Sequence, residues 1–425
     1  MDATTKKGAD ATPHLRRNFW LGVTNGVAYN LYIVVLSTEL VLTLFVSKLT
    51  DSNLLISLLV PLELGSWYFL QFVLSGYLQR RPRGLPLYRS MGIVRVAVAA
   101  LLAGMAFLLP AGPGLLAIFL LAFTLNSLAA GVAALPFMNV VAKTIPAARR
   151  GGFFGWRRFL GGAAGLLGGL LVKAVLAPGF FLDFPHNFGL LFALGSLLLV
   201  VLVSSFGLVV EPAEVVDRRP VPLGTRLGRA VRLPLRDRNF GRYLAVRVGI
   251  VVSAYALPFY TIYAQRALGA PEDVVGLYLV GMTLAGVLSN LVLGRLADRH
   301  GPRLLMRLTA GTALLPAATA LILAILPLPG STGVLPFALV FLLQGVHTTA
   351  NVIGSSTYLL ELDASVERVL YIGVAHGAVG LAVFTSPLGG AIVDTWGFVP
   401  LFFVALAGGL AALALSLGLA ETKRH

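Results

Sequence analysis

Cysteine is absent from all 425 residues, which excludes disulfides, thiolate metal sites and cysteine nucleophiles. Charge is scarce as well: Asp, Glu, Lys and Arg make up 12% of the chain, against about a quarter in an ordinary soluble protein. Acidic residues are the rarer kind, 18 against 33 basic ones. With 57% hydrophobic residues, the solvent must be lipid. The chain has no Gly-x-x-x-x-Gly-Lys-Ser/Thr loop to cradle a nucleotide phosphate, which argues against direct ATP drive. It also lacks a convergent acid and nucleophile, so no catalytic residue is assigned and neither an enzyme activity nor a cofactor is expected.

Present instead are apolar runs of about 20 residues, the length that spans a bilayer as a helix. Twelve are expected: Phe19 to Val46, Leu54 to Leu78, Met91 to Leu109, Leu115 to Val141, Phe154 to Ala177, Phe188 to Val210, Tyr243 to Ala264, Val274 to Ala297, Leu304 to Leu326, Val334 to Leu360, Val369 to Val393 and Phe398 to Leu419. The runs are apolar all round, whereas barrel strands alternate over roughly ten residues, so the fold class is an all-α membrane protein. The polar N-terminus, Met1 to Arg17, does not read as a cleaved signal peptide.

All but five of the 33 Lys and Arg residues fall on one side of this topology. Lys48, Lys173 and Arg266 fall on the other, while Arg95 and Arg247 stand within helices. Positive charge marks the cytoplasmic face, which places both termini there in a bacterial inner membrane. The net charge of +15 therefore reads as loops against anionic lipid headgroups rather than as a nucleic-acid surface.

Internal repetition divides the chain. At an offset of 218 residues Gly76 aligns with Gly294, Asn126 with Gln344, Lys143 with Glu361, Arg150 with Arg368, Gly155 with Gly373 and Gly162 with Gly380. Two six-helix halves of like topology imply parallel repeats, with a solute site between them near midplane. The expected organisation is a cytoplasmic segment 1–18, a six-helix bundle 19–210, a basic linker 211–240, a second bundle 241–420 and a tail 421–425. The linker holds seven arginines and four prolines. Arg226, Arg229 and Arg232 are spaced for one face of a short basic helix on the membrane, with a solvated tether as the alternative.

The loop Gly294-Arg-Leu-Ala-Asp-Arg-His-Gly-Pro-Arg303 carries Gly294, Leu296, Asp298, Arg299, Gly301 and Arg303 in the pattern of a known family loop. On this motif and the duplicated bundles, the sequence resembles the major facilitator superfamily over nearly the whole chain after the first 15 residues. In chemical terms Asp298 is an anion at a helix end, suited to an opposing helix N-terminus. The resemblance implies the fifth helix, near Gly152 and Arg157, as that partner in the outward-facing state, the contact breaking when the cytoplasmic side opens. A charged loop that only sets topology is the alternative. The first-half copy puts Arg80 where Asp298 stands. Lys143 with Glu361, or Arg150 with Glu367, are expected to pair across the cytoplasmic gate when it closes. The Gly161 to Gly169 run offers a close-packing face, but Leu166 follows Gly165 where the superfamily's antiporter signature has Gly-Pro, so efflux is not read from it.

In lipid a polar side chain must face protein or a water-filled cavity. Stripes at helical spacing are formed by Asn25, Tyr29, Tyr32 and Glu39 in the first helix and by Glu63, Trp67 and Gln71 in the second. Arg247, Tyr255 and Tyr263 form one in the seventh, and Gln344, His347, Asn351, Ser355 and Tyr358 one in the tenth. The resemblance implies that the first, fourth, seventh and tenth helices line the cavity; the fourth offers Asn126. For Asn25, Gln344 and Asn351 the alternative is hydrogen bonding between helices. Glu39, Glu63, His347 and His376 are candidate proton carriers, with interhelical hydrogen bonding or snorkelling as the alternative. Neither histidine has ligand-spaced neighbours, so no metal site is expected. Arg247 could bind an anionic group or pair with a carboxylate such as Glu63.

The function these features imply is secondary active transport of a small organic solute, coupled to protons, by rocking two bundles. Multidrug or amphiphile efflux is the alternative, and a nontransporting receptor or assembly factor of the same fold a third reading. The aromatics and amides suit a sugar, a nucleoside or an amphiphile; Glu39 and Glu63 suit a cation, and Arg247 argues the other way. Direction, coupling ion and oligomeric state are open from sequence.

Overall fold

The computed structural model describes residues 14–68, 70, 81–213, 228, 232–326, 330–362 and 368–421. Among these residues the secondary structure is entirely helical, with no strand. Eleven helices are long and apolar enough to cross a membrane. In chain order they are α1 (Leu15–Ser47), α3 (Leu85–Leu108), α4 (Pro113–Thr144), α5 (Ala147–Val175), α6 (His186–Gly207), α7 (Arg238–Arg266), α8 (Val274–His300), α9 (Pro302–Ile325), α10 (Val334–Leu362), α11 (Arg368–Val383 with Pro387–Trp396) and α12 (Phe398–Leu417). The remaining segment, α2, is described through Asn53–Ser57 and Pro61–Gly65. Gln71, Arg80, Glu367 and most of the basic linker lie outside the described residues.

Several helices begin a few residues before the apolar runs do. α1 starts at Leu15 and α7 at Arg238. Arginine stems lie along apolar surface while the guanidinium reaches water, so helices continue past the apolar boundary. Asp237 caps α7 by accepting from the backbone N–H groups of Asn239 and Phe240, and this polar cap sets the start that hydropathy places at Tyr243.

Four helices are interrupted. α1 breaks at Leu36–Ser37 and resumes through a π-helical turn, Thr38–Leu42. α2 carries a π-helical turn at Pro61–Gly65. α7 passes through a 3₁₀ turn at Ala254–Ala256 before Pro258, and α11 stops at Val383 and restarts at Pro387. Proline supplies the cause in three of them, since it lacks the N–H an α-helix needs. Such interruptions at membrane depth are tolerated where protein or a cavity satisfies the freed groups.

The sequence repeat reappears as packing. In the first half Phe45 meets Phe119 at 5.0 Å and Phe184 at 5.8 Å between ring centroids. In the second, Tyr263 meets Phe337 at 5.3 Å and Phe402 at 5.5 Å. Each residue of the second knot stands 218 positions after its counterpart. The same offset that relates the glycines therefore relates the aromatic cores at the ends of α1 and α7.

Candidate substrate cavity and gates

The two halves meet most fully at the end of the bundle bearing loops 48–52 and 267–273, opposite the basic loops. Lys48 at the end of α1 pairs with Glu272 in the other half at 2.5 Å. Arg266, 218 positions later, pairs with Asp51 of the first half at 3.5 Å. Equivalent cations thus reach across the interface in opposite directions. The Asp394 carboxylate at the end of α11 accepts from the start of α2: from Asn53 N at 3.2 Å, Asn53 Nδ2 at 2.7 Å and Leu54 N at 3.1 Å. A carboxylate at a helix N-terminus gains from the helix dipole. Beside it Gly390 packs on the Asn53 backbone and Ser57 so closely that any side chain would collide with them. Thr261 of α7 donates to the Glu39 carbonyl at 3.0 Å, at the π-helical turn of α1.

Small residues join α5 and α8 over much of their length. Gly162 faces Val287, Gly165 faces Thr283 and Gly169 faces Val280, so the glycine run read from the sequence does form a close-packing face. Arg158 donates to Asn290 at 2.8 Å. Two turns further toward the basic end, on the same helix faces, Gly155 and Gly294 have open space around them, as do Gly151 and Gly152. The two helices therefore part toward the basic loops. Gly301 has φ 81° at the turn between α8 and α9, a conformation that favours glycine, whereas Gly294 makes no close packing contact. Asp298 lies in a described helix, but its side chain is outside what is described. Arg299 is exposed, and Arg303 buries its Nε without a partner among the described residues.

Lys143 pairs with Glu211 at 3.2 Å, inside the first half. Glu211 also accepts from Gly84 N and Leu85 N, which caps α3. Arg150 donates to the carbonyls of Ile145 and Ala142. Glu361 has an interaction of its own. These are arrangements of a bundle whose α5 and α8 ends are apart; the pairing of Lys143 with Glu361 concerns the closed gate.

Between the two ends lie the polar stripes, which the structure sorts into two kinds. Asn25 is 3% exposed and fully engaged inside the first half: it donates to Tyr88 Oη at 2.9 Å and to the Leu202 carbonyl at 2.8 Å, and accepts from Arg157 Nη1 at 2.9 Å. Arg157 also binds the Gly22 carbonyl and lies over the Phe137 and Phe153 rings. This guanidinium is thus committed to α1, where the resemblance places it near the α8 loop. Tyr263 stands in the aromatic knot of the second half, and Tyr255 bonds Thr385 of α11. In this state these three sequence candidates hold helices together.

The other candidates are Tyr29, Tyr32, Glu63, Trp67, Asn126, Arg247, Gln344, His347, Asn351 and His376. Tyr29 is 45% exposed and lies within electrostatic range of Arg95, Glu63 and Tyr32. Arg95 donates to Asn126 at 3.2 Å, Asn126 donates to Tyr32 Oη at 3.1 Å, and the guanidinium lies over the Tyr32 ring. The sequence shows Arg95 only as a charge within a helix; its partnership with the Asn126 and Tyr32 stripe exists only in three dimensions. In the second half Arg247 donates to Asn351, His347 Nδ1 meets Thr312 Oγ1 at 3.2 Å, and Gln344 donates to Thr348 at 3.4 Å. His376 lies 5.3 Å from the Tyr68 ring and 6.2 Å from Trp67, across the interface between halves. Thr38 lies close to the Glu63 carboxyl, and Glu39, within electrostatic range of Glu63, has its Oε2 sealed without a partner among the described residues. Both glutamates sit on the π-helical turns. Among the described residues no group of three or more His, Asp or Glu side chains could hold a metal ion.

Residues 243–425 match the family model of the Major Facilitator Superfamily. No curated protein matches the sequence. Among solved structures, the xylose transporter XylE from E. coli in a partially occluded inward open conformation aligns with TM-score 0.69 and 14% identity, over 97% of this chain and 99% of that one. The nucleoside transporter NupG aligns with TM-score 0.62 and 12% identity, over 95% and 98%. A bacterial homologue of the iron transporter ferroportin in an outward-facing state aligns with TM-score 0.61 and 15% identity, over 95% and 98%. The second half, residues 243–425, carries the sequence of the Major Facilitator Superfamily, and the whole chain is a multi-pass membrane protein that shares the fold of these solved structures.

Proposed function

We propose that the protein is a secondary active transporter that moves a small organic solute across the bacterial cytoplasmic membrane by alternating access, with the basic loops and both termini in the cytoplasm. The observation that carries this reading is the contrast along the interface between halves. Ion pairs, a capped helix and a buried glycine contact close one end, α5 and α8 part at the other, and uncommitted polar groups lie between. Positive charge assigns the parted end to the cytoplasm, so the state is inward-facing.

Coupling to protons is assigned to Glu39 and Glu63. They are the only carboxyls in the middle of the membrane segments, one of them has an oxygen with no protein partner among the described residues, and both stand on helix turns that touch the closed gate. Protonation would remove two neighbouring negative charges from a medium that solvates them poorly. On closure of the cytoplasmic end, Lys143 exchanges Glu211 for Glu361.

The test is transport in proteoliposomes carrying an imposed proton gradient. Uptake of solute that collapses with the gradient, and that Glu63→Gln abolishes while the variant still binds solute, supports the reading. Solute movement indifferent to the gradient and to both glutamate variants contradicts the coupling; absence of movement for any bound solute contradicts transport.

A further inference from the structure

The membrane arginines differ in how far the protein satisfies them. Arg157 is held by a carbonyl, an amide oxygen and two ring faces, and Arg95 by an amide oxygen and a ring face. Arg247 has one protein acceptor, the Asn351 amide oxygen, among the described residues. A guanidinium carries five N–H donors in a planar fork. The other Arg247 nitrogens, Nε and Nη2, have no protein partner among the described residues and are not sealed from open space.

The surroundings of Arg247 are one-sided. His347, His376 and Tyr243 lie within its electrostatic range, and no carboxylate forms an ion pair with it among the described residues. Acidic residues are absent from the middle of every second-half membrane segment. An isolated cation in a poorly solvating medium is costly unless an anion joins it.

Its position is equally specific. One turn further along α7, Val251 packs with Val60, Val379, Val383 and Tyr68, an apolar layer contributed by both halves. Arg247 thus lies directly beneath the closed layer, on the side where α5 and α8 part. Trp67 and Tyr68 of the first half flank His376 there.

Resting on the transporter reading above, we infer that the solute is a small organic anion whose carboxylate or phosphate is held by the free edge of the Arg247 guanidinium, with its organic body against Trp67 and Tyr68. Planar, two-point recognition of carboxylate or phosphate is what a guanidinium does and an ammonium does not. The aromatic rings come from the opposite half, so the anion bridges the halves beneath the layer that must part for release to the outside.

The experiment measures binding to the purified chain by thermal shift and calorimetry. The probes are benzoate, succinate and glucose 6-phosphate, set against glucose, uridine and tetraphenylphosphonium. At least one anion raises the melting temperature, and Arg247→Gln weakens that anion roughly tenfold or more. Arg247→Lys, which keeps the charge and the fold, weakens it measurably while its unliganded melting temperature stays near that of the parent. Binding of a neutral or cationic probe with no anion response overturns the anion assignment and leaves the transport reading standing. Anion binding undiminished in both variants, or no anion response at all, overturns it as well. The transport reading fails by a different route: gate distances that no bound probe changes.

Discussion

The two ends of the interface between halves are built from the same pair of bundles and behave differently. At the end away from the basic loops, the outer end in the transport reading proposed above, the contacts are short, polar and reciprocal, with Lys48 on Glu272, Arg266 on Asp51 and Asp394 on the start of α2. Toward the basic end the glycine seam of α5 and α8 runs out, and Gly155 and Gly294 face open space on the faces that touch two turns earlier. The difference shows where the energy of this state resides. A handful of exposed ion pairs contributes little, so close packing at glycine and the capped N-terminus of α2 must carry most of the closure. The interrupted helices α1, α2, α7 and α11 are the ones whose pieces beyond the interruption, away from the basic loops, form the closed end.

Breaking the packing should have the largest effect. Gly390→Trp cannot fit against Asn53 and Ser57, so it is expected to favour the outward-facing state by roughly tenfold or more, about 1.4 kcal/mol. Double electron–electron resonance between labels on introduced cysteines at Ala111 and Ala267 reads the outer distance, the native chain having no cysteine to interfere. A contrasting substitution sharpens the comparison by acting inside one half: Asn25→Ala leaves Tyr88 and Arg157 without their amide partner. It should lower stability by about 2 kcal/mol in thermal unfolding without altering gate distances.

Smaller effects follow at the rim. Asp394→Ala removes an exposed carboxylate from a helix N-terminus and should weaken outer closure by about 1 kcal/mol, seen as a severalfold rise in the outward population by the same labels. Glu272→Gln breaks the Lys48 pair and should shift the equilibrium by less than about 1 kcal/mol, an effect that vanishes in high salt. At the opposite gate, exchanging the charges of Lys143 and Glu361 together should restore transport lost in each single reversal. Failure of that rescue removes the pairing from the account.

Sequence legibility followed the same division. Lipid as solvent, helix number and the 218-residue offset were readable because apolar length and glycine spacing are local properties, and the offset proved to extend to the aromatic knots around Phe45 and Tyr263. The polar stripes were readable as stripes but not as faces of a particular kind. Three- and four-residue spacing gives one side of a helix, and Asn25 turns that side into its own bundle while Tyr29, one turn on, stays 45% exposed. Tyr263 reads as a cavity residue because a hydroxyl on an aromatic ring is polar in sequence; its counterpart Phe45 marks the position as core. The helix interruptions had a signal in Pro61, Pro258 and Pro387, whereas the break in α1 at Ser37 had none. Arg95 and Asn126 come together from different helices, a contact that single-helix periodicity does not contain.

The most direct test of alternating access places two label pairs in one protein, Ala111 with Ala267 at the outer end and Ala148 with His300 at the basic end, and follows both in the parent and in Gly390→Trp. The account predicts reciprocal motion: the outer distance lengthens as the inner one shortens. An outer end that opens while the inner distance stays unchanged would contradict it.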